Sequence, residues 1–174
     1  MASVFFRKIT KSKWNNQLDK DAKLHNIISA DAVTSCLRTS SNQLSVWKVA
    51  KIEDAILALA VVADTIVSID IVSIEEDFFH SRSLIVKQSI AENNPVKALR
   101  EYHYNIEELN YDSLGIVSKE LASKISQNKD YIVRYTVKQI KQIIKDALDA
   151  KKFILTDLKP ELQEKIIQDK FFQS

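Results

Sequence analysis

The sequence predicts an α+β fold, in which a small sheet of about three or more strands packs against helices and the C-terminal half is helix-rich. Over the first 75 residues, segments with the period of a strand alternate with segments of helical period, and helical patterns dominate afterwards. The length of 174 residues suits a single globular domain, 1–174, with one substantial core. We expect helices to cover the sheet on one side.

Three segments of the N-terminal half have the composition of strands. Ser3–Thr10 is rich in β-branched and aromatic residues. Gln43–Val49 and Thr65–Glu75 alternate with a period of two, and the second is dense in valine and isoleucine. We therefore predict three strands, the third of which is well buried.

Two helices are predicted between these strands. The first covers Ala30–Leu37, with Ser29 as its N-cap, because a serine hydroxyl can accept an unpaired N–H of the first turn. The second covers Lys51–Asp64 and is central. Its apolar residues recur at helical spacing at Ile52, Ala55, Ile56, Leu59, Val62 and Ala63. We expect this helix to pack on the strand Val67–Ile74, with Leu59 in the core.

The C-terminal half predicts further helices. One begins after Ser83 and breaks near Asn93, and another opens at Pro95, because proline suits the first turn of a helix. A short helix is predicted over Ile116–Ile125. The clearest helix covers Tyr131–Lys152, and a last one runs from Pro160 to about Asp169.

The composition excludes several enzyme classes. With one glycine and two prolines, the chain cannot build the usual phosphate loops or nucleophile elbows, which need glycine where the backbone approaches a ligand. The single cysteine, Cys36, excludes an internal disulfide, and the three histidines lack zinc spacing. We expect no cofactor, no secretion signal, no membrane segment and a reducing, cytoplasmic setting. The bias towards isoleucine and lysine is typical of AT-rich, bacterial coding sequence.

Acidic residues cluster around the third predicted strand at Asp64, Asp70, Glu75, Glu76 and Asp77. Carboxylates at a strand end can hold a divalent metal, so a metal-dependent hydrolase or nuclease using Asp70 and Glu75 is one alternative. However, the odd separation of these two residues places them on opposite faces of an ideal strand. A solvated strand end with one internally paired aspartate fits better. Cys36 is interpreted as a small core residue.

Two groups of residues are candidates for binding a partner. Arg100, Tyr102, His103 and Tyr104 combine the arginine and aromatic types that anchor protein interfaces, with a partly buried loop as the alternative. Basic residues form a stripe on one face of the predicted helix Tyr131–Lys152, at Arg134, Lys138, Lys141 and Lys145. Such a stripe can contact nucleic-acid phosphates or an acidic protein face, or can simply face solvent.

The missing catalytic signatures and the segregated charge together suit a binding protein, and the alternative is that the basic ends fold back and neutralise the acidic middle. Residues 1–30 carry a net charge of +4, residues 31–118 carry −6 and residues 119–174 carry +4. We interpret the chain as a non-enzymatic protein with a protein partner, such as a toxin inhibitor of the immunity or antitoxin type, or an accessory subunit. Nucleic-acid binding through the basic helix is the first alternative and the metal-dependent enzyme is the second. Association into a homo-oligomer stays open.

Overall fold

A computed structural model describes residues 3–19 and 22–173, and within them six strands form one antiparallel sheet. The strands are β1 Val4–Ile9, β2 Leu44–Trp47, β3 Ile69–Glu75, β4 Ile85–Gln88, β5 His103–Glu107 and β6 Val133–Tyr135. Their order across the sheet is β4-β5-β2-β1-β3-β6. The three predicted strands are confirmed as β1, β2 and β3, and the predicted α+β class is confirmed with them.

Seven α-helices lie in the same described part of the chain: α1 Asn15–Leu18, α2 Ile52–Ala60, α3 Glu76–Ser81, α4 Tyr111–Gln127, α5 Val137–Asp149, α6 Pro160–Gln168 and α7 Lys170–Gln173. The first predicted helix is a π-helical turn, Ala32–Cys36. Asp31 is the N-cap of this turn, and the predicted cap Ser29 instead lies two residues earlier, where its Oγ accepts from the N–H of Ala32 at 3.1 Å. The helix predicted to begin at Pro160 does so, as α6, and the short α7 follows it.

Helical layers cover both faces of the sheet, so the expectation of one covered side is wrong. On the front face, α2, α5 and α6 pack over Phe6, Ile69 and Ile71. On the back face, α4 and the N-terminal helical turns pack over Phe5 and Val72. The reason is visible in the sequence, because β1 and β3 carry apolar residues at odd and even positions alike. A strand with that pattern needs apolar cover on both sides.

Helix α2 packs on the sheet as predicted, with Ala55 and Ile56 buried, but its buried side is shifted away from Leu59. Its buried residues are Ala55, Ile56, Leu57, Ala58 and Ala60. Leu59, predicted to lie in the core, is only partly buried against the front layer. Val62 is exposed, because the helix has already ended at Ala60. Most residues of this helix are apolar, so its sequence alone does not determine which side faces the sheet.

Two helices predicted in the C-terminal half are corrected. The segment after Ser83 is a strand, β4, which pairs with β5, and a 3₁₀ helix at Lys97–Tyr102 precedes β5. The helix predicted from Tyr131 begins only at Val137. Thr136 is its N-cap, with a hydroxyl that accepts from the N–H of Gln139. A capped start six residues later leaves the preceding segment available to pair with β3 as β6.

Candidate partner-binding surface

Arg134, predicted to begin the basic stripe, lies on β6 and not on α5. It stands directly opposite Asp70 of β3, and its Nε lies 2.8 Å from Asp70 Oδ1. The N–H of Lys11 also donates to Asp70 Oδ2, at 2.8 Å. Asp70 is 5% exposed, so an unpaired charge there would be costly. Arg134 is therefore a structural counter-ion for Asp70, and it does not belong to the basic stripe on α5.

The same contacts settle the role of Asp70 within the acidic group. It is the internally paired aspartate that the sequence favoured. Glu75 instead reaches Lys124 at 3.3 Å, and Glu76 reaches Lys48 at 2.7 Å, which lowers the pKa of the Glu76 carboxyl below its usual value. Among the described residues, no three or more histidine, cysteine or acidic side chains converge as metal ligands would.

The predicted Arg100 cluster is divided between structural contacts. His103 and Tyr104 are neighbours on β5 and face opposite sides of the sheet. The His103 ring packs 5.0 Å from that of Trp47, and its Nδ1 lies 2.7 Å from the carbonyl oxygen of Ser89. Burial lowers the pKa of His103. The Tyr104 ring packs 5.3 Å from that of Phe5 on the other face.

The two other members of this cluster do not restore a common surface. Arg100 Nε donates to the carbonyl oxygen of Asn94 at 2.7 Å, and this contact ties the 3₁₀ helix to the preceding loop. Tyr102 is 48% exposed. In place of the partly buried loop considered as the alternative, Arg100 and Tyr102 lie in the 3₁₀ helix Lys97–Tyr102, and His103 and Tyr104 begin β5. The sequence placed these four residues near one another correctly, but it did not show that their side chains point in different directions.

Cys36 is buried, as interpreted from the sequence. The N–H of Thr10 donates to its Sγ at 3.2 Å, and its carbonyl oxygen accepts from Arg7 Nη2 at 2.9 Å. Burial lowers the pKa of the Arg7 guanidinium to about 10. These contacts anchor the π-helical turn to β1.

Three lysines of the predicted stripe do share one face of α5. Lys138, Lys141 and Lys145 follow the spacing of a helix face, while Ile140 and Ile144 are buried against the sheet. Here α6 and α7 approach α5, and together with the loop before β3 they enclose a pocket of about 580 Å³. We call this pocket the lysine cleft. Its lining residues are Thr65, Ile66, Val137, Lys141, Lys165, Gln168, Asp169 and Lys170.

The end of the described chain lies against the lysine face of α5. The Asp169 carboxylate forms an ion pair with Lys141, which lowers the pKa of Asp169. The Phe171 ring centre is 5.9 Å from Lys141 Nζ and 6.0 Å from Lys145 Nζ. Both distances suit cation–π contact.

Four residues of this surface were missed from the sequence, namely Lys165, Asp169, Lys170 and Phe171. No spacing rule connects them with α5, because the connection depends on the chain reversing after Asp149. The net charge of +4 over residues 119–174 was the one signal available.

Comparison of the chain with protein-family models, curated proteins and solved structures finds no match. Among the described residues, no helix has both the length and the apolar composition needed to cross a bilayer. Function must therefore be inferred from the geometry of this chain.

Proposed function

We propose that the protein is a non-enzymatic binding protein whose lysine cleft receives an acidic segment of a partner protein, as a toxin inhibitor or an accessory subunit would. The observation that carries this proposal is the composition of the cleft. Lys141, Lys165 and Lys170 line it together with Ile66 and Val137. Thr65, Gln168 and Asp169 complete the lining, and a concave surface that mixes charged, polar and a few apolar groups suits a side-chain-bearing polypeptide.

Charge complementarity defines the chemistry of that partner. Lys165 and Lys170 are exposed on α6 and α7, and the partly buried Lys141 lines the same pocket from α5. Three helices thus present ammonium groups around one cavity, and a carboxylate-bearing segment is the protein chemistry that matches them. A cytoplasmic location belongs to the same proposal, because the single buried thiol of Cys36 suits a reducing compartment.

Nucleic-acid binding is the second candidate, and Lys165 and Lys170 are the observation that favours it, since they add cations beside α5. Two of the four cations in the predicted stripe already have carboxylate partners, however. Arg134 is paired with Asp70 and Lys141 with Asp169. Any anion at Lys141 would have to compete with Asp169, but polyanion binding depends on several phosphate contacts, and the pairing of Arg134 and Lys141 reduces the number that can release counterions.

Affinity capture from the source cells, with nuclease treatment, tests the proposal. The cleft variant is Lys165→Glu/Lys170→Glu, and the matched control is Lys97→Glu/Lys119→Glu, which makes the same charge change at exposed lysines outside the cleft. We expect the wild type and the control to retain one stoichiometric, nuclease-resistant protein partner. We expect the cleft variant to retain less than one tenth as much.

Two results would contradict the proposal. Equal capture by the cleft variant and the control would place the partner on another surface. Loss of all captured protein after nuclease treatment would favour the nucleic-acid alternative. The two variants must show the same unfolding midpoint, so that a difference in capture reports on the surface and not on the fold.

A further inference from the structure

The outer side of β4 is an open edge of the sheet. Within the described part of the chain, β5 is the one strand that pairs with β4. The N–H of Ser89, directly after β4, donates to the carbonyl oxygen of His103 at 2.9 Å. Every second residue of an antiparallel strand bonds to the same neighbour, so Lys87 also bonds to β5. The backbone N–H and C=O groups of Val86 and Gln88 therefore point away from the sheet.

The side chains along this edge are open to solvent. Ile85, Lys87 and Gln88 are exposed, and Ile85 keeps 38% of its surface accessible although it is apolar. Among the described residues, the apolar front layer includes residues of β1 and β3 but none of β4. An exposed strand with outward-pointing backbone groups and an apolar side chain is a template for pairing with another strand.

Lys87 restricts which strand can pair here. A lysine on an edge strand normally opposes further pairing. The Nζ of Lys87, however, lies 2.8 Å from Glu107 Oε2, and Glu107 stands opposite Ile85 on β5. All three side chains share one face of the sheet, because residues two apart in a strand point the same way. An incoming strand therefore meets an exposed isoleucine beside a neutralised lysine.

A second copy of β4 complements this edge when Val86 lies opposite Val86 of that copy in an antiparallel pair. Both backbone groups of Val86 then form bonds, and the N–H of Gln88 reaches the carbonyl oxygen of Leu84. In this register Ile85 lies opposite Lys87 of the second copy. Each lysine keeps Glu107 of its own chain as counter-ion, so the charges balance on both sides of the symmetry axis.

The neighbouring registers are less favourable. With Lys87 on the axis, two ammonium groups would stand directly opposite each other. With Ile85 on the axis, Val86 would need the N–H of Leu84, which already donates to the carbonyl oxygen of Phe79 at 2.9 Å. With Gln88 on the axis, Ile85 would lie beyond the end of the second β4.

We infer that the protein forms a two-fold symmetric dimer in which β4 pairs with β4 of a second copy, with Val86 on the axis. The two sheets then become one continuous sheet. This inference goes beyond the proposed function, because no residue that lines the lysine cleft lies on β4.

Sedimentation equilibrium of the full chain tests the dimer, at protein concentrations of about 1–300 μM. The edge variant is Ile85→Lys, which places a second ammonium group opposite Lys87. The matched control is Ile154→Lys, which makes the same change at an exposed isoleucine outside the sheet. We expect the wild type and the control to reach twice the chain mass of 19.9 kDa. The dissociation constant of the edge variant should be at least tenfold higher.

Disulfide cross-linking tests the register. Residues opposite each other in a bonded pair have Cα atoms about 5.5 Å apart, which suits a disulfide. Val86→Cys should therefore cross-link between copies under mild oxidation. In Gln88→Cys, the two new cysteines would be about 13 Å apart along the strands, so cross-linking should be at least tenfold slower. The wild type is the blank, because its Cys36 is buried.

A mass of one chain at every concentration would overturn the inference and would leave this edge to a strand of another protein. Equal dissociation constants for the wild type and Ile85→Lys would place self-association on another surface. Equal cross-linking rates at positions 86 and 88 would exclude the register, and both results would also overturn the inference. If Ile85→Lys lost the native circular dichroism spectrum, the cross-linking rates would decide. The capture experiment with Lys165 and Lys170 uses other residues, so the two proposals fail separately.

Discussion

Two ion pairs show how differently the predicted basic stripe is used. Arg134 and Lys141 were placed on one helix face by their spacing, and each has an aspartate partner. Asp70, the partner of Arg134, is 5% exposed and lies within the sheet, whereas the side chain of Asp169, the partner of Lys141, is 28% exposed on a short terminal segment. The burial of the carboxylate, and not the position of the cation, determines how strongly each pair is expected to stabilise the fold.

The largest change in the free energy of unfolding is expected from the substitution Arg134→Ala. It leaves the buried Asp70 with the backbone N–H of Lys11 as its donor, so the free energy of unfolding should fall by about 2–3 kcal/mol. The half-exposed position of Arg134 keeps this below the cost at a fully buried pair. Urea denaturation followed by circular dichroism measures the change, and a loss under about 0.5 kcal/mol would show that the two pairs do not differ.

A smaller effect is expected from Lys141→Gln. Because both side chains of this pair stay partly in contact with solvent, with exposures of 23% and 28%, the free energy of unfolding should fall by less than about 1 kcal/mol. Lys138→Gln, on the same helix face, is the control and should stay within about 0.5 kcal/mol of the wild type. The same urea experiment applies to both. A cost for Lys141→Gln that equals the cost for Arg134→Ala would show that the burial of the carboxylate does not distinguish the two pairs.

The smallest expected effect is a pH-dependent change in the contribution of Asp169 to stability. Pairing with Lys141 lowers the pKa of Asp169, so the folded chain holds this carboxylate ionised to a lower pH than the unfolded chain does. Its contribution is complete above the unfolded value of about 3.9 and is lost as the pH falls through the lower folded value. Amide signals of α7 should shift in that acid range before those of α5, and Asp169→Asn should remove the transition. If the amide signals of α7 and α5 shifted over the same pH range, the transition would not arise from Asp169 alone.

The sequence predicted correctly those elements whose own residues show a clear strand or helix pattern. β1 and β3 have long β-branched runs, and α6 has proline at its start, so each could be predicted locally. β4 and β6 have four and three residues and exist because they pair with strands distant in sequence. Periodicity over so few residues cannot distinguish a strand from a helical turn.

The candidate site was predictable only in part for the same reason. Lys138, Lys141 and Lys145 share a helix face that spacing alone defines. The cleft also needs Lys165, Asp169 and Lys170, which reach it because α6 and α7 return to α5. The pairing of Arg134 with Asp70 depended on the register between β3 and β6, which the sequence did not show.

Binding of nucleic acid at several salt concentrations tests most directly whether the lysine cleft is a polypeptide surface. We expect the wild type to bind fluorescent duplex and single-stranded probes no tighter than about 10⁻⁴ M at physiological salt, the weak end of non-specific association. A sub-micromolar complex would contradict the account if log affinity fell with log salt at a slope of roughly −3 to −4. A variant Lys138→Gln/Lys141→Gln that lowered the slope by the equivalent of about two phosphate contacts, with stability nearly unchanged, would assign that binding to the lysines of α5.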